Sequence, residues 1–251
     1  MQFKVMTYNI HHGKGMDKQV DLNRIAEVIE KSGADIIGLN EVDKYFSKRS
    51  YDEDQVGWLA KKLNMHQAFS PSLSLKPKHS TTVRQYGNAL LSRYPIITKK
   101  SYPFDFIYGL IEGRSLLEAT IQVNEQPLQI YVTHLSLHPF LHKKQTDFIV
   151  NQLHKCSGPA IVMGDWNMKP RSRGWKKMTD GLQDVWQIAG KGGGFTYPSL
   201  RPRRRLDYIF VSRNFQVMAA EVVTKMPKGS DHLPLKATLS YKFPVEKVPH
   251  H

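Results

Sequence analysis

The sequence predicts an α/β protein: a mixed sheet, or two packed sheets, with helices outside. Three observations predict it. Nine short runs rich in β-branched and aromatic residues read as strands. Stretches of helical periodicity separate some of these runs and not others. The early strands alternate with helices, whereas strands in the middle of the chain follow one another directly, a combination that calls for mixed pairing.

In chain order, Phe3 to Tyr8 is the first strand. A helix follows from Asp21 to Lys31, with Leu22, Ile25, Ala26, Val28 and Ile29 mostly on one side and Asp21 placed as its N-cap. Ile36 to Leu39 is a strand and Gln55 to Leu63 a helix, and the polar stretch Ser70 to Arg84, with Pro71 and Pro77, reads as a long loop. Three strands come next: Asn88 to Leu91, Leu116 to Val123 and Leu128 to Thr133. A helix from Phe140 to His154 leads to the strand Ala160 to Met163. Gly190 to Gly194 reads as a flexible turn, and the last strands are Tyr208 to Val211, Val217 to Val223 and Leu235 to Ser240. With no repeat and no linker-like segment, residues 1–244 are expected to form one domain and residues 245–251 a loose tail.

The 36 Lys+Arg against 22 Asp+Glu give a net charge of +14, a field that attracts polyanions. The single cysteine, Cys156, rules out an internal disulfide and sits where a helix ends, as a bystander. The N-terminal residues read as a strand rather than a secretory leader, and no apolar run is long enough to span a membrane. A cytoplasmic protein without membrane insertion is expected, and no obligate protein partner is evident.

The informative feature is where the polar residues fall. The first strand ends in Asn9, and the second runs into Asn40-Glu41. Others end at His134 and at Asp165-Trp166-Asn167, and Ser230-Asp231-His232 directly precedes the last strand. Any one of these is most simply a cap or turn residue. Five such sites are different, because neighbouring strands bring their ends to one edge, where α/β sheets bind ligands. Carboxylates without thiolates suit a hard cation such as Mg²⁺ or Mn²⁺. Histidines and amides beside such a cation suit phosphoester cleavage, in which negative charge spreads over oxygen atoms. Serine-based ester hydrolysis is disfavoured because no Gly-x-Ser-x-Gly elbow occurs.

These residues resemble the endonuclease/exonuclease/phosphatase superfamily, to which DNase I belongs. The matching blocks are Thr7-Tyr8-Asn9-Ile10, Leu39-Asn40-Glu41-Val42, Gly87 to Arg93, Thr133-His134-Leu135, Gly164-Asp165-Trp166-Asn167, Leu206-Asp207-Tyr208-Ile209 and Ser230 to Leu235, in the family's order over nearly the whole chain. The resemblance implies a four-layered α/β/β/α sandwich of two mixed sheets. It also implies roles: Glu41 as principal metal ligand, Asn9 at the metal or the scissile phosphate, and Asp231 beside the metal. Asp165 would orient and deprotonate the attacking water, and Asn167 would hold it or a phosphate oxygen. His134 and His232 would donate to the phosphate and the leaving group, with Asp207 orienting His232. Arg114 resembles a phosphate-contacting arginine, with a surface salt bridge as the alternative. The family usually has Gln where Asn40 stands, and the glutamate that pairs with the first histidine in DNase I-like nucleases has no evident counterpart.

His134, His138 and His142 are spaced by four, but Pro139 interrupts them, so a three-histidine zinc site is rejected and His138 and His142 read as solvent-facing loop residues. His11 and His12 read as a mobile loop at the catalytic edge, with substrate contact as the alternative. Arg201, Arg203, Arg204 and Arg205 run into Leu206-Asp207. Either they are a solvated charge run, or Arg203 and Arg204 meet phosphate. Tyr197 and Trp166 either pack in the core or stack on substrate. The favoured partner is a phosphate-containing substrate, nucleic acid first, cleaved at a phosphodiester. The alternative is a small molecule or phospholipid headgroup. A non-catalytic nucleic-acid-binding relic ranks last, because every expected polar residue is present.

Overall fold

The computed structural model describes residues 1–77, 81–105 and 113–241. The chain opens with β1 (Gln2–Asn9), α1 (Leu22–Ser32), β2 (Ile36–Lys44) and α2 (Gln55–Leu63). Asp21 caps α1 by accepting from the backbone N–H groups of Asn23 and Arg24, and Gly33, at φ 63°, ends it. Strands β3 (His66–Leu75), β4 (Arg84–Ser92), β5 (Ile96–Pro103), β6 (Ser115–Val123) and β7 (Gln126–His134) follow without an intervening helix. Then come α3 (Pro139–His154), β8 (Ala160–Asp165), α4 (Arg173–Gly181), β9 (Leu182–Asp184), α5 (Val185–Ala189), β10 (Asp207–Ser212), β11 (Phe215–Val222) and β12 (Leu235–Tyr241).

The strands form two six-stranded sheets, ordered β11-β12-β1-β2-β4-β3 and β5-β6-β7-β8-β10-β9. Each sheet contains one parallel pair, β1 with β2 and β7 with β8, and in each a helix makes the crossover. Three buried clusters define four layers. Phe3, Val5, Leu90, Ile130, Met163, Ile209 and Leu239 lie between the sheets. Met6, Tyr8, Ile25, Ile29 and Leu59 lie between the first sheet and α1 and α2. Tyr131, Ile149, Val162, Trp166, Met178 and Phe210 lie between the second sheet and its helices. The alternation along β1 shows the cause: Phe3 and Val5 face the other sheet while Met6 and Tyr8 face the helices. The predicted four-layered sandwich is the observed one.

The loop expected from Ser70 to Arg84 is strand through Leu75. Pro71 is tolerated there because β3 is an edge strand and the register shifts between Pro71 and Leu73. Strands β5 and β9 and helices α4 and α5 also arise where no element was expected. His142 is not a solvent-facing loop residue: it lies in α3, half-buried, with Nε2 2.8 Å from the carbonyl oxygen of Trp166. His138 is exposed and precedes α3 as its N-cap. The glycines at 190–194 fold around Trp186, whose Nε1 donates to the Gly192 carbonyl at 3.2 Å. The tail at 245–251 lies outside the described residues. No helix among the described residues is long and apolar enough to cross a membrane.

Candidate active site

One edge of the sandwich collects the polar strand ends. Asn9 closes β1 and stands in register with Asn40 of β2. Against β4, the pairing of β2 jumps from Leu39↔Ala89 to Val42↔Gly87, so Asn40 and Glu41 share one bulge. Glu41 adopts φ 59° there. A bulge breaks the two-residue alternation, so successive side chains can both serve the site. His134 and Asp165 end the parallel strands β7 and β8 directly opposite each other. Asp207 begins β10, antiparallel to β8, and therefore also faces Asp165. Gly164 makes the close approach of β7 and β8 possible. It has φ 147°, and a Cβ there would lie 1.8 Å from the Thr133 carbonyl oxygen.

Buried amides tie the two sheets together beneath this edge. Asn40 accepts from the Asp165 backbone N–H at 2.9 Å and donates to the Thr133 carbonyl at 2.9 Å and to Asn88 at 2.8 Å. Asn88 in turn donates to the Ser115 carbonyl at 2.9 Å. The Asn40-for-Gln departure therefore sits at a bridge between sheets. Asn88 is a site-supporting residue that sequence reasoning passed over inside an ordinary strand.

Asp165 Oδ2 is the centre of the arrangement. Asn9 Nδ2 donates to it at 3.1 Å and to Glu41 Oε1 at 3.0 Å. His134 Nε2 lies 3.5 Å away and His232 Nε2 3.7 Å away. His232 Nδ1 donates to Asp207 Oδ2 at 2.8 Å. Asn167, at φ 46°, has its backbone N–H on Asp165 Oδ1 at 3.1 Å and its amide on the Leu135 carbonyl at 3.0 Å, beside His134. Asp231 is half-exposed, 3.7 Å from His11 Nδ1.

The electrostatics divide the two histidines. Burial alone would depress His232, but Asp207 and Asp165 outweigh it and push its pKa up to about 10, so the ring is protonated at neutral pH. His134 goes the other way, well below the usual value, because burial is joined by the positive charges of Arg114 and His232. Burial raises Asp165, with Asp207 adding to the rise and His232 opposing it. Where DNase I-like nucleases carry a glutamate against the first histidine, the described residues place Arg114, with Nη1 3.3 Å from His134 Nδ1. A guanidinium offers Nδ1 only hydrogens, while Nε2 lies 3.2 Å from the Asn167 amide nitrogen and 3.5 Å from Asp165 Oδ2.

A concave space of about 670 Å³ opens onto these groups, lined also by Arg114, Lys169, Arg203, Arg204, Phe195 and Tyr197. Arg203 and Arg204 are exposed and positioned by the backbone, since Tyr197 and Arg204 exchange hydrogen bonds at 2.9 and 3.0 Å. Tyr197 is neither core nor free, its ring lying 4.8 Å from that of His232. Trp166 is core, wholly buried against Phe210. Arg205 is not part of the exposed run: it is buried, bonded to Asp184 and stacked over Tyr208. His11 and His12 form a short 3-10 turn rather than an open loop, and His12 is buried.

The sequence profile described as the endonuclease/exonuclease/phosphatase family matches residues 6–232. The uncharacterised protein YbhP of Escherichia coli is 25% identical over 254 residues, covering 94% of this chain and 96% of that one. An endonuclease/exonuclease/phosphatase of Beutenbergia cavernae superposes with a TM-score of 0.79 at 25% identity, over 96% of this chain and 72% of that chain. The mannosyl-6-phosphatase of Bacteroides thetaiotaomicron superposes with a TM-score of 0.76 over 95% of this chain and 100% of that chain, and at 17% identity shares the fold alone.

Proposed function

We propose that this chain, which belongs to the endonuclease/exonuclease/phosphatase family and is a phosphoester hydrolase, cleaves phosphodiesters by attack of an activated water, with nucleic acid as its favoured substrate. The observation that carries the reading is the surroundings of Asp165 Oδ2, where an amide, a neutral imidazole and a protonated imidazole converge within 3.7 Å. Asp165 takes the proton of the attacking water, which the Asn167 side chain helps to hold. His134 and His232 donate to the phosphate and the leaving-group oxygen, the charged His232 through its Nε2 hydrogen. Asp207 keeps His232 charged and oriented, and Arg114 adds a cation beside the phosphate.

Glu41, Asn9 and Asp231 would hold a divalent cation, Mg²⁺ or Mn²⁺. The fit rests on Glu41, a carboxylate whose Oε1 accepts only the Asn9 amide hydrogen at 3.0 Å among the described residues' hydrogen bonds. When bound, the cation would supply charge neutralisation for the scissile phosphate. Arg203, Arg204 and Lys169 around the opening support a polyanionic substrate. The apolar wall formed by Leu137, Phe195 and Tyr197 favours the second reading, a small phosphorylated molecule or lipid headgroup.

A substrate panel tests the proposal: single- and double-stranded nucleic acids, phosphomonoesters, sugar phosphates and phospholipids, each with Mg²⁺ or Mn²⁺ and with EDTA. Activity should vanish with EDTA and return with metal. Asp165→Asn should lower turnover by roughly a hundredfold or more, the scale for losing a general base. Full activity in chelated enzyme would defeat the metal assignment. Cleavage of headgroups with nucleic acids left intact would replace the substrate.

A further inference from the structure

We propose that His11 and His12 join Glu41 in a mixed nitrogen–oxygen cation site, so that the chain binds a first-row transition-metal ion in preference to Mg²⁺. The inference deepens the hydrolase reading and rests on Glu41 being a metal ligand there.

The first observation is convergence. One ligand atom each from His11, His12 and Glu41 lies within 4.8 Å of the other two. Ligand bonds of about 2.0–2.3 Å require donor atoms somewhat closer together than that, so a cation would draw the three side chains inward. The second is backbone conformation. His11 (φ 46°), His12 (φ 45°) and Glu41 (φ 59°) are all left-handed, and none is glycine. Each such residue costs about 1–2 kcal/mol, and strain of this kind persists only where the surroundings enforce it. Here they do. Asn9 Oδ1 accepts from the His11 N–H at 3.1 Å, Gln55 Nε2 donates to the His12 carbonyl at 2.8 Å, and the Glu41 bulge is held on both sides by strand pairing.

The third observation is the state of His12. Its residue is only 8% exposed, and neither ring nitrogen has a hydrogen-bond partner among the described residues. With no protein partner on either ring nitrogen, this imidazole keeps a lone pair available to a cation. The remaining donor, His11, has Nδ1 3.7 Å from the Asp231 carboxylate, a neighbouring negative charge that favours a cation at the same place. Carboxylate and carbonyl oxygens alone suit Mg²⁺, whereas two imidazoles added to a carboxylate suit the transition metals, whose affinity for such donors rises along the first row.

Co²⁺ gives the test a readout independent of catalysis. Binding of Co²⁺ and Mg²⁺ is measured by calorimetry, and Co²⁺ coordination by visible absorption. The full chain carries His250→Ala and His251→Ala so that the terminal imidazoles do not contribute. The parent should bind Co²⁺ at least roughly tenfold more tightly than Mg²⁺, with absorption typical of nitrogen ligation. His11→Ala and His12→Gln should each weaken Co²⁺ by roughly tenfold or more and alter the spectrum, while Mg²⁺ affinity changes far less. His12→Gln preserves bulk in the buried position, and exposed-side His11→Ala carries the test if that variant misfolds. Unchanged Co²⁺ affinity in both folded variants overturns the proposal, as does Mg²⁺ binding as tight as Co²⁺. Metal binding that follows the histidines supports it even if no phosphoester is cleaved, a result that would count against the hydrolase reading alone.

Discussion

His232 is buried between two carboxylates, and that position sets how it titrates. Burial by itself would make the ring neutral. Asp207, at 2.8 Å from Nδ1, and Asp165, at 3.7 Å from Nε2, reverse the sign and raise its pKa to about 10. A raised pKa contributes stability that is complete below the unfolded value of about 6.5 and is lost as pH rises through about 10. If His232 works as a charged donor, activity follows the same direction and falls on the alkaline side. Asp207→Asn removes the leading partner, so the alkaline limb of the pH–rate profile should move down by roughly one unit or more, and an NMR titration of the imidazole should move with it. An alkaline limb unchanged by the substitution would separate His232 from the reaction. At this scale the sequence was informative, because Asn9, Glu41, His134, Asp165 and His232 are polar side chains bordering apolar runs and therefore stand out, while Asp207 was found only through the family resemblance. Arg114 was singled out as resembling a phosphate-contacting arginine, but its pairing with the His134 ring was not foreseen. The two residues are 20 apart in sequence, and only the β6–β7 pairing brings them together.

At the scale of elements, every strand missed from the sequence lies at a sheet edge, and of the four edges only β11 was read. Every interior strand, β12, β1, β2 and β4 in one sheet and β6, β7, β8 and β10 in the other, was legible as an apolar run. The three missed strands, β3, β5 and β9, are all edges. Edge strands need only one pairing partner, and lysines and proline there discourage further pairing. Thus Lys99 and Lys100 on β5 are exposed, Pro71 sits in β3, and β9 is three residues long. Their sequences record solvent and turns instead of burial. The interior pairing β7–β8, which carries His134 and Asp165, makes the opposite demand at Gly164. Gly164→Ala should destabilise the protein by about 2 kcal/mol or more in urea unfolding, because the added methyl meets backbone that cannot rotate aside. Gly158→Ala, with nothing within 4 Å of its new Cβ, should change stability by less than about 1 kcal/mol. Equal stability of the two variants would mean that β7 and β8 approach less closely than described.

Across the whole molecule, a net charge of +14 says only that polyanions are attracted; the structure says which cations face the site. In sequence, Arg203, Arg204 and Arg205 are one run. In the fold they divide, because Arg205 is buried against Asp184 while Arg203 and Arg204 reach the opening with Lys169. A test that removed all three would confuse lost binding with lost folding. The informative variant is Arg203→Ser with Arg204→Ser, leaving Arg205 in place. A nucleic-acid backbone would meet these cations and others on the same face, releasing counterions as it binds, so affinity should fall with salt at a slope of roughly 0.7–0.9 log units per phosphate neutralised. The double variant should then weaken polymer binding and lower the slope by roughly two phosphates' worth, while hydrolysis of a small chromogenic phosphodiester changes little. A headgroup or sugar phosphate touches few cations and predicts a shallow slope in parent and variant alike. Binding isotherms for a short DNA duplex and a single-stranded RNA at several salt concentrations distinguish the cases. A flat salt dependence, with the double variant losing activity on the small phosphodiester, would make Arg203 and Arg204 a clamp for one phosphate and transfer the proposed substrate from polymer to small molecule.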